Sequence, residues 1–111
     1  WRVPDGGNNG IWSKALGSSS YFIQSSLYDS TNKGMNFSGK FGSDQTIWYP
    51  ASGYRILDDG DLSSVGYGGY CRSASPYNNF AYDLRFNYDG YVYPSYGHDR
   101  ASGRSVRCLQ E

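Results

Sequence analysis

The sequence is poor in most of what helical and catalytic proteins use freely. Its only lysines are Lys14, Lys33 and Lys40, and its only glutamate is Glu111. Helices draw heavily on Glu, Lys, Ala and Leu. A chain that uses Gly, Ser, Tyr, Asn and Asp instead favours turns and strands, so an all-β or loop-rich α+β fold is expected. Long apolar runs are absent. Nothing inserts directly into a membrane as a spanning helix, and nothing resembles a signal peptide. Ten Lys plus Arg balance ten Asp plus Glu, which removes any broad electrostatic reason to expect nucleic acid as a partner. Aliphatic side chains are few, so the core must rely on aromatics. The 111 residues suffice for one domain, residues 1–111. The chain begins at Trp1 with no methionine and is read as a mature fragment or a domain of a longer protein.

Chemistry-bearing residues are equally scarce. His98 is the only histidine and lies beside Asp99, but no G-x-S-x-G elbow accompanies it, and no catalytic residue is assigned. One histidine and two distant cysteines lack zinc-ligand spacing. The run Asp58-Asp59-Gly60-Asp61 lacks the alternating ligands and terminal Glu of a calcium loop and reads as a solvated turn. No metal and no cofactor is expected. Cys71 and Cys108 could form one disulfide in an oxidising compartment or remain two free thiols. Asp83 with Arg85, and Asp99 with Arg100, are candidate surface ion pairs of little energetic weight.

Local patterns place the elements. Ile11–Leu16 predicts a short helix ended by Gly17, and Tyr21–Ile23 a short strand or helical turn. Met35, Phe37 and Phe41 alternate with polar residues in a half-buried strand. Thr46–Pro50 reads as a buried strand, with Pro50 unable to donate into a central ladder. Tyr70–Ser75 and Tyr82–Phe86 are strands. Asn87–Gly90 is a hairpin turn leading to Tyr91–Tyr93. Ser105–Leu109 closes the chain as a strand with Val106 and Cys108 inward.

Abundance lies in the last third. Eight of the twelve tyrosines fall between Gly66 and Cys108, among Gly, Ser, Asn, Asp and Arg. Tyrosine offers a large, rigid, amphipathic contact area, and Ser, Gly and Asn add adaptable hydrogen bonding, the mixture that antibody combining loops favour. Tyr70 and Tyr82 are assigned mainly to the fold and the others to a binding surface.

An ordered set of short pieces adds to this. Trp1-Arg2-Val3-Pro4, Trp48-Tyr49-Pro50-Ala51-Ser52-Gly53-Tyr54-Arg55, Gly69-Tyr70 with Ser73 and Ser75-Pro76, Ala81 with Leu84 and Phe86, Val92 with Pro94, and Arg100 with Gly103–Cys108 come in sequence. Together they resemble the C-type-lectin-like domains at the end of gut-bacterial surface and fimbrial-tip proteins, including the variable proteins diversified by retroelements. The resemblance implies an α+β, C-type-lectin-like fold of short twisted antiparallel strands, one or two short helices and extensive loops. It implies a framework built on Trp48, Leu84, Phe86, Val92 and Val106, and a variable binding region at about residues 67–102. That segment has neither Lys nor Glu, as adenine-directed diversification would leave it. The variable positions implied are the tyrosines Tyr67, Tyr77, Tyr88, Tyr91, Tyr93 and Tyr96, the ionisable Arg72, Asp83, Arg85, His98 and Asp99, and Cys71, Ala74, Asn79, Phe80 and Ser102. Affinity would come from aromatic burial, and specificity from Arg72, Arg85, His98, Asp99 and the Asn and Ser side chains. The implied function is a ligand-binding adhesin or receptor domain on the extracellular cell surface, at a fimbrial tip or on a lipoprotein anchor. It would form part of a larger surface protein and bind a protein or glycan on another cell or phage. The Glu-Pro-Asn, Gln-Pro-Asp and Trp-Asn-Asp signatures of calcium-dependent sugar binding are absent. A fixed-specificity carbohydrate lectin, and an enzyme of the formylglycine-generating type using a cysteine pair, are the alternative readings.

Overall fold

The computed structural model describes residues 1–41 and 47–108. Its one α-helix, α1 (Ile11–Leu16), forms where expected. Gly17 ends it in the left-handed region at φ 74°, a conformation open to a residue without Cβ, and its N–H reaches the Ser13 carbonyl at 3.0 Å. The helix is anchored by Trp12, whose Nε1–H donates to the Tyr49 hydroxyl at 3.2 Å, and by Ser13, whose Oγ donates to the Gly7 carbonyl at 2.9 Å.

Strands make most of the remaining regular structure. They are β1 (Phe22–Ile23), β2 (Tyr28–Asp29), β3 (Gly34–Asn36), β4 (Trp48–Pro50), β5 (Tyr54–Arg55), β6 (Leu62–Ser63), β7 (Gly68–Tyr77), β8 (Phe80–Asn87) and β9 (Tyr91–Asp99), with one 3₁₀ turn at Ser25–Leu27. They form a four-stranded sheet ordered β1-β9-β8-β7, a three-stranded sheet β2-β3-β4 and a ribbon β5-β6, with antiparallel strand pairing throughout. The α+β, C-type-lectin-like expectation is therefore corrected to a mostly β fold with a single short α-helix among the described residues. Outside Ile11–Leu16 the sequence has no run that prefers helix, and its Tyr, Phe and Val residues pair across strands instead.

Several elements differ from their sequence patterns for local reasons. The alternation from Met35 gives the expected burial, with Met35 and Phe37 fully enclosed and Asn36 and Ser38 exposed. The strand nevertheless stops at Asn36, whose Oδ1 accepts the Ser38 N–H at 2.9 Å and turns the chain. Trp48–Pro50 is an edge strand, so the missing N–H of Pro50 leaves no gap; Thr46 of that predicted strand lies outside the described residues. The closing segment is not a strand. Ser105 makes one parallel bridge to Cys71, while Val106 and Cys108 are exposed, not inward. Arg107 then turns onto the Trp48 carbonyl and the Tyr49 ring, and Leu109 lies outside the described residues.

The core is aromatic, as the lack of aliphatics requires. Phe37 meets Tyr49, Phe86 and Phe41 edge to face at centroid distances of 5.6, 6.0 and 6.2 Å. Trp12, Met35, Leu84 and Val92 complete it. Val106 takes no part, and Trp48 is only half-buried. Each fully buried side chain of this size contributes about 1.5–3 kcal/mol. Gly69 is as much part of this packing as the side chains, because a Cβ there would stand 2.0 Å from Phe86 Cζ. No helix among the described residues is long and apolar enough to cross a membrane.

Candidate functional site: an aromatic and arginine face

Alternation along β8 sends Leu84 and Phe86 into the core. Asp83 and Arg85 then point to the other side of the sheet. Register carries the same sorting onto its neighbours. On β7, Tyr70 pairs with Arg85 and Arg72 with Asp83. On β9, Tyr93 pairs with Arg85 and Tyr96 with Asp83. Tyr93 and Tyr96 are three residues apart and would face opposite ways in a regular strand. A bulge between Asp83 and Arg85 takes up the extra residue at Pro94-Ser95 and restores them to one side. Proline is at home in such a bulge, where no ladder donor is required.

Tyr91, Tyr93, Tyr96 and His98 consequently form a continuous stripe. Successive ring centroids lie 6.3, 5.4 and 6.0 Å apart. Tyr21 extends it at one end, 5.9 Å from Tyr91 and 5.5 Å from Tyr93. At the other, Tyr54 lies 6.1 Å from His98 and 4.9 Å from Tyr70. The guanidinium of Arg85 sits among Tyr70, Tyr93 and Tyr96, at 5.5, 5.3 and 4.8 Å from their centroids. Arg104 is held between Tyr54 and Tyr70 at 4.3 and 4.5 Å. Such cation–π contacts stabilise by about 0.5–2 kcal/mol each, more as water is excluded.

Beneath the stripe lies a buried ion triad. Asp83, fully enclosed, takes Arg72 Nε at 2.7 Å and Arg104 Nε at 3.3 Å. Its partners are thus Arg72 and Arg104, not the Arg85 that sequence proximity suggested. Burial pushes the Asp83 carboxyl up to about 6, with the two arginines pulling the other way. Burial and, next, Arg104 push His98 below its ordinary value. The Asp99 N–H donates to His98 Nδ1 at 2.9 Å, which leaves the proton of the neutral ring on Nε2. Arg72 also donates to the Asp99 carbonyl at 2.9 Å, and Arg100 to the carbonyls of Phe80 and Asn78 at 2.8 and 2.6 Å. These two arginines clamp loops. Arg100 pairs with backbone and not with Asp99.

The residues expected in the binding region separate into distinct places. Tyr91, Tyr93, Tyr96, His98 and Arg85 meet on the stripe. Tyr67 and Tyr88, both exposed, meet edge to face at 5.7 Å and border a cleft of about 150 Å³ that reaches Arg85. Tyr77 and Phe80 gather near the β7–β8 turn, where Tyr77 stacks on Tyr82 at 4.8 Å. Ala74 and Asn79 are exposed, and Asp99 is half-buried. Cys71, Asp83 and Ser102 lie beneath the surface. Tyr70 is buried as assigned, and half-buried Tyr82 packs over Gly6 and Gly7. Cys71 and Cys108 are both free thiols, the first in the core and the second exposed, and burial pushes the Cys71 thiol up to about 12. The Asp58–Asp61 turn is solvated, with Asp59 Oδ1 accepting the Asp61 N–H at 2.9 Å. Among the described residues no group of three or more His, Cys, Asp or Glu is placed to hold a metal ion.

Sequence reasoning left Tyr21, Tyr54 and Arg104 out of the site. Tyr21 and Tyr54 lie far from the Tyr-rich tail in sequence; the pairing of β1 with β9 brings Tyr21 to it, and the Arg55–Gly103 bridge brings the ribbon that carries Tyr54. The signal for the stripe lies in Tyr91-x-Tyr93-Pro94-Ser95-Tyr96-x-His98, which breaks alternation once, at a proline, but the strand was expected only over Tyr91–Tyr93. The chain matches no family model, no curated protein and no solved structure.

Proposed function

We propose that this domain is a non-catalytic ligand-binding module of an extracellular surface protein, and that the face carrying Tyr91, Tyr93, Tyr96 and Arg85 takes the ligand, a protein or glycan on another cell or phage. The observation that carries this reading is the bulge-aligned stripe. Tyr91, Tyr93, Tyr96 and His98 are held side by side on one face of a sheet that turns Leu84, Phe86 and Val92 into the core on the other. Tyrosine and arginine in this arrangement are the side chains that dominate binding hot spots. The inert, buried Cys71 gives no support to a cysteine-pair enzyme. The likeness to retroelement-diversified variable proteins extends the proposal: the exposed tail residues are changeable and the core-facing ones are fixed.

Arrays of glycans and of cell-surface protein ectodomains test the binding role, probed with the wild-type domain and with Tyr93→Ser/Tyr96→Ser. Binding that is lost in the variant while its fold is kept supports the reading, and binding untouched by the substitutions refutes it. The encoding locus tests diversification. A near-copy of the DNA for residues 67–102, differing only at adenines and lying beside a reverse transcriptase, is expected; a locus without it leaves a binding face of fixed specificity.

A further inference from the structure

Charge on this face does not follow the balance of the chain. The protein is neutral overall, yet the guanidinium groups of Arg72, Arg85 and Arg104 gather at this face against two carboxylates, Asp83 beneath it and Asp99 beside His98. Arg72 and Arg104 are each ion-paired to Asp83 through Nε, although Nη1 and Nη2 of Arg104 are buried without a hydrogen-bond partner. Arg85 has no such pair. Its Nε is buried without a hydrogen-bond partner, and it has no carboxylate or carbonyl partner among the described residues. A buried donor left unpaired costs about 1–3 kcal/mol, and a structural arginine is normally relieved of that cost, as Arg100 is by two carbonyls. Arg85 instead forms part of the cleft bordered by Tyr67, Tyr70, Asn87 and Tyr88, with Tyr93 and Tyr96 on its other side.

We infer that Arg85 is the anchor for a carboxylate of a protein partner, an Asp or Glu side chain in an acidic segment laid across the tyrosine stripe. The inference rests on the reading of this face as a binding surface and names the chemistry of what it takes. A guanidinium fork matches a carboxylate with two parallel N–H···O bonds, and the rings around Arg85 shield that pair from water. Cleft size favours a side chain of a macromolecule over a free small molecule. The clefts that border these residues hold about 150, 180 and 270 Å³, short of the roughly 300–1,000 Å³ usual for small-molecule sites. The rest of the contact would be flat aromatic surface, which suits a peptide segment with apolar or aromatic residues beside its acids. The surplus positive charge steers such a segment in and repels basic ones.

The experiment is selection of binders from a random dodecapeptide library on the wild-type domain. Synthetic copies of the selected peptides are then titrated against wild type, Arg85→Gln, Tyr93→Ser and the remote control Lys14→Gln. Selected peptides are expected to be enriched in Asp and Glu. Their affinity should fall about 10- to 100-fold in Arg85→Gln, the loss of a charge-assisted pair. It should fall similarly when the peptide's acid is replaced by its amide, and should not change in Lys14→Gln. Peptides weakened by Tyr93→Ser but indifferent to Arg85→Gln would overturn this inference and leave the aromatic face standing as a binding surface. Peptides indifferent to both would overturn both. Glucuronic acid and inorganic phosphate serve as further probes: if either competes with the peptides at equal concentration, Arg85 is a general anion site and the assignment to an acidic protein segment fails.

Discussion

Two glycines in the same sheet distinguish framework from surface. A Cβ at Gly69 would stand 2.0 Å from Cζ of Phe86, and one at Gly97 would stand 2.4 Å from Cδ1 of Tyr77. By distance alone the two substitutions to alanine look alike. They differ in what can move. Phe86 is fully buried with Phe37 at 6.0 Å, and restoring an ordinary carbon–carbon separation of about 3.5 Å would need a shift of over 1 Å that the close-packed core does not allow. Overpacking of this kind costs about 1–3 kcal/mol or more. Against it stands a gain of about 0.4–1 kcal/mol from the stiffer unfolded chain. Gly69→Ala should thus lose about 2 kcal/mol, or roughly 8 °C of melting temperature at about 4 °C per kcal/mol. Tyr77 is 43% exposed near the end of the sheet and can swing aside, so Gly97→Ala should stay within about 0.5 kcal/mol of wild type. Urea unfolding followed by tryptophan fluorescence, with a thermal melt, measures both. Phe86→Leu in the Gly69→Ala background should cost less than the sum of the two single changes, because the contacting pair is coupled. A Gly97→Ala that loses as much as Gly69→Ala would refute the separation of a rigid inner layer from a compliant outer one.

Other expectations follow from the same geometry. Because burial raises Asp83 from 3.8 to about 6, the fold favours its neutral form. Its contribution to stability is full below pH 4 and is lost as pH rises through 6, by about 3 kcal/mol at about 1.4 kcal/mol per unit. The wild-type stability profile between pH 4 and 7 should therefore fall relative to that of Asp83→Asn, and a relative rise would show that the arginines outweigh burial. His98, shifted down, acts in the opposite sense, its share being lost as pH falls through its lowered value; subtracting the Asp83→Asn profile removes it. A thiol reagent at pH 8 should modify Cys108 at once and Cys71 only on unfolding, and two fast-reacting thiols in the folded protein would contradict the placement of Cys71. Tyr93→Ser, on the half-exposed stripe, should cost about 1–2 kcal/mol through the lost ring and cation–π contacts, short of the roughly 3–5 kcal/mol expected for Phe86→Ala, as calorimetry can check.

The parts of the fold governed by short-range chemistry were legible in the sequence. Gly17 ends α1, the Asn87–Gly90 turn joins β8 to β9, and the alternation at Met35–Phe37 and Leu84–Phe86 marks the core. What was not legible depends on partners distant along the chain. The α+β class was misassigned, although only one or two short helices were expected, because a likeness in ordered short pieces does not fix the architecture between them. Ser105–Leu109 has a strand's composition, but Arg107 finds Tyr49 and Trp48 and draws Val106 outward. Of the site, the tyrosines were evident from composition and Arg85 was named only through the likeness, whereas the pairing of Asp83 with Arg72 and Arg104 follows from register and chain return, which no local pattern encodes.

The bulge at Pro94-Ser95 makes this surface tolerant of change in one respect and intolerant in another. Each ring on the stripe can be exchanged for another side chain without disturbing the layer behind it. Losing or gaining one residue between Tyr93 and Tyr96 is different, since it would turn Tyr96 and His98 toward the packed side and bring Gly97 outward. The frame of β9 thus acts as a ruler: side chains on this face can be replaced at constant length, whereas insertions and deletions are excluded.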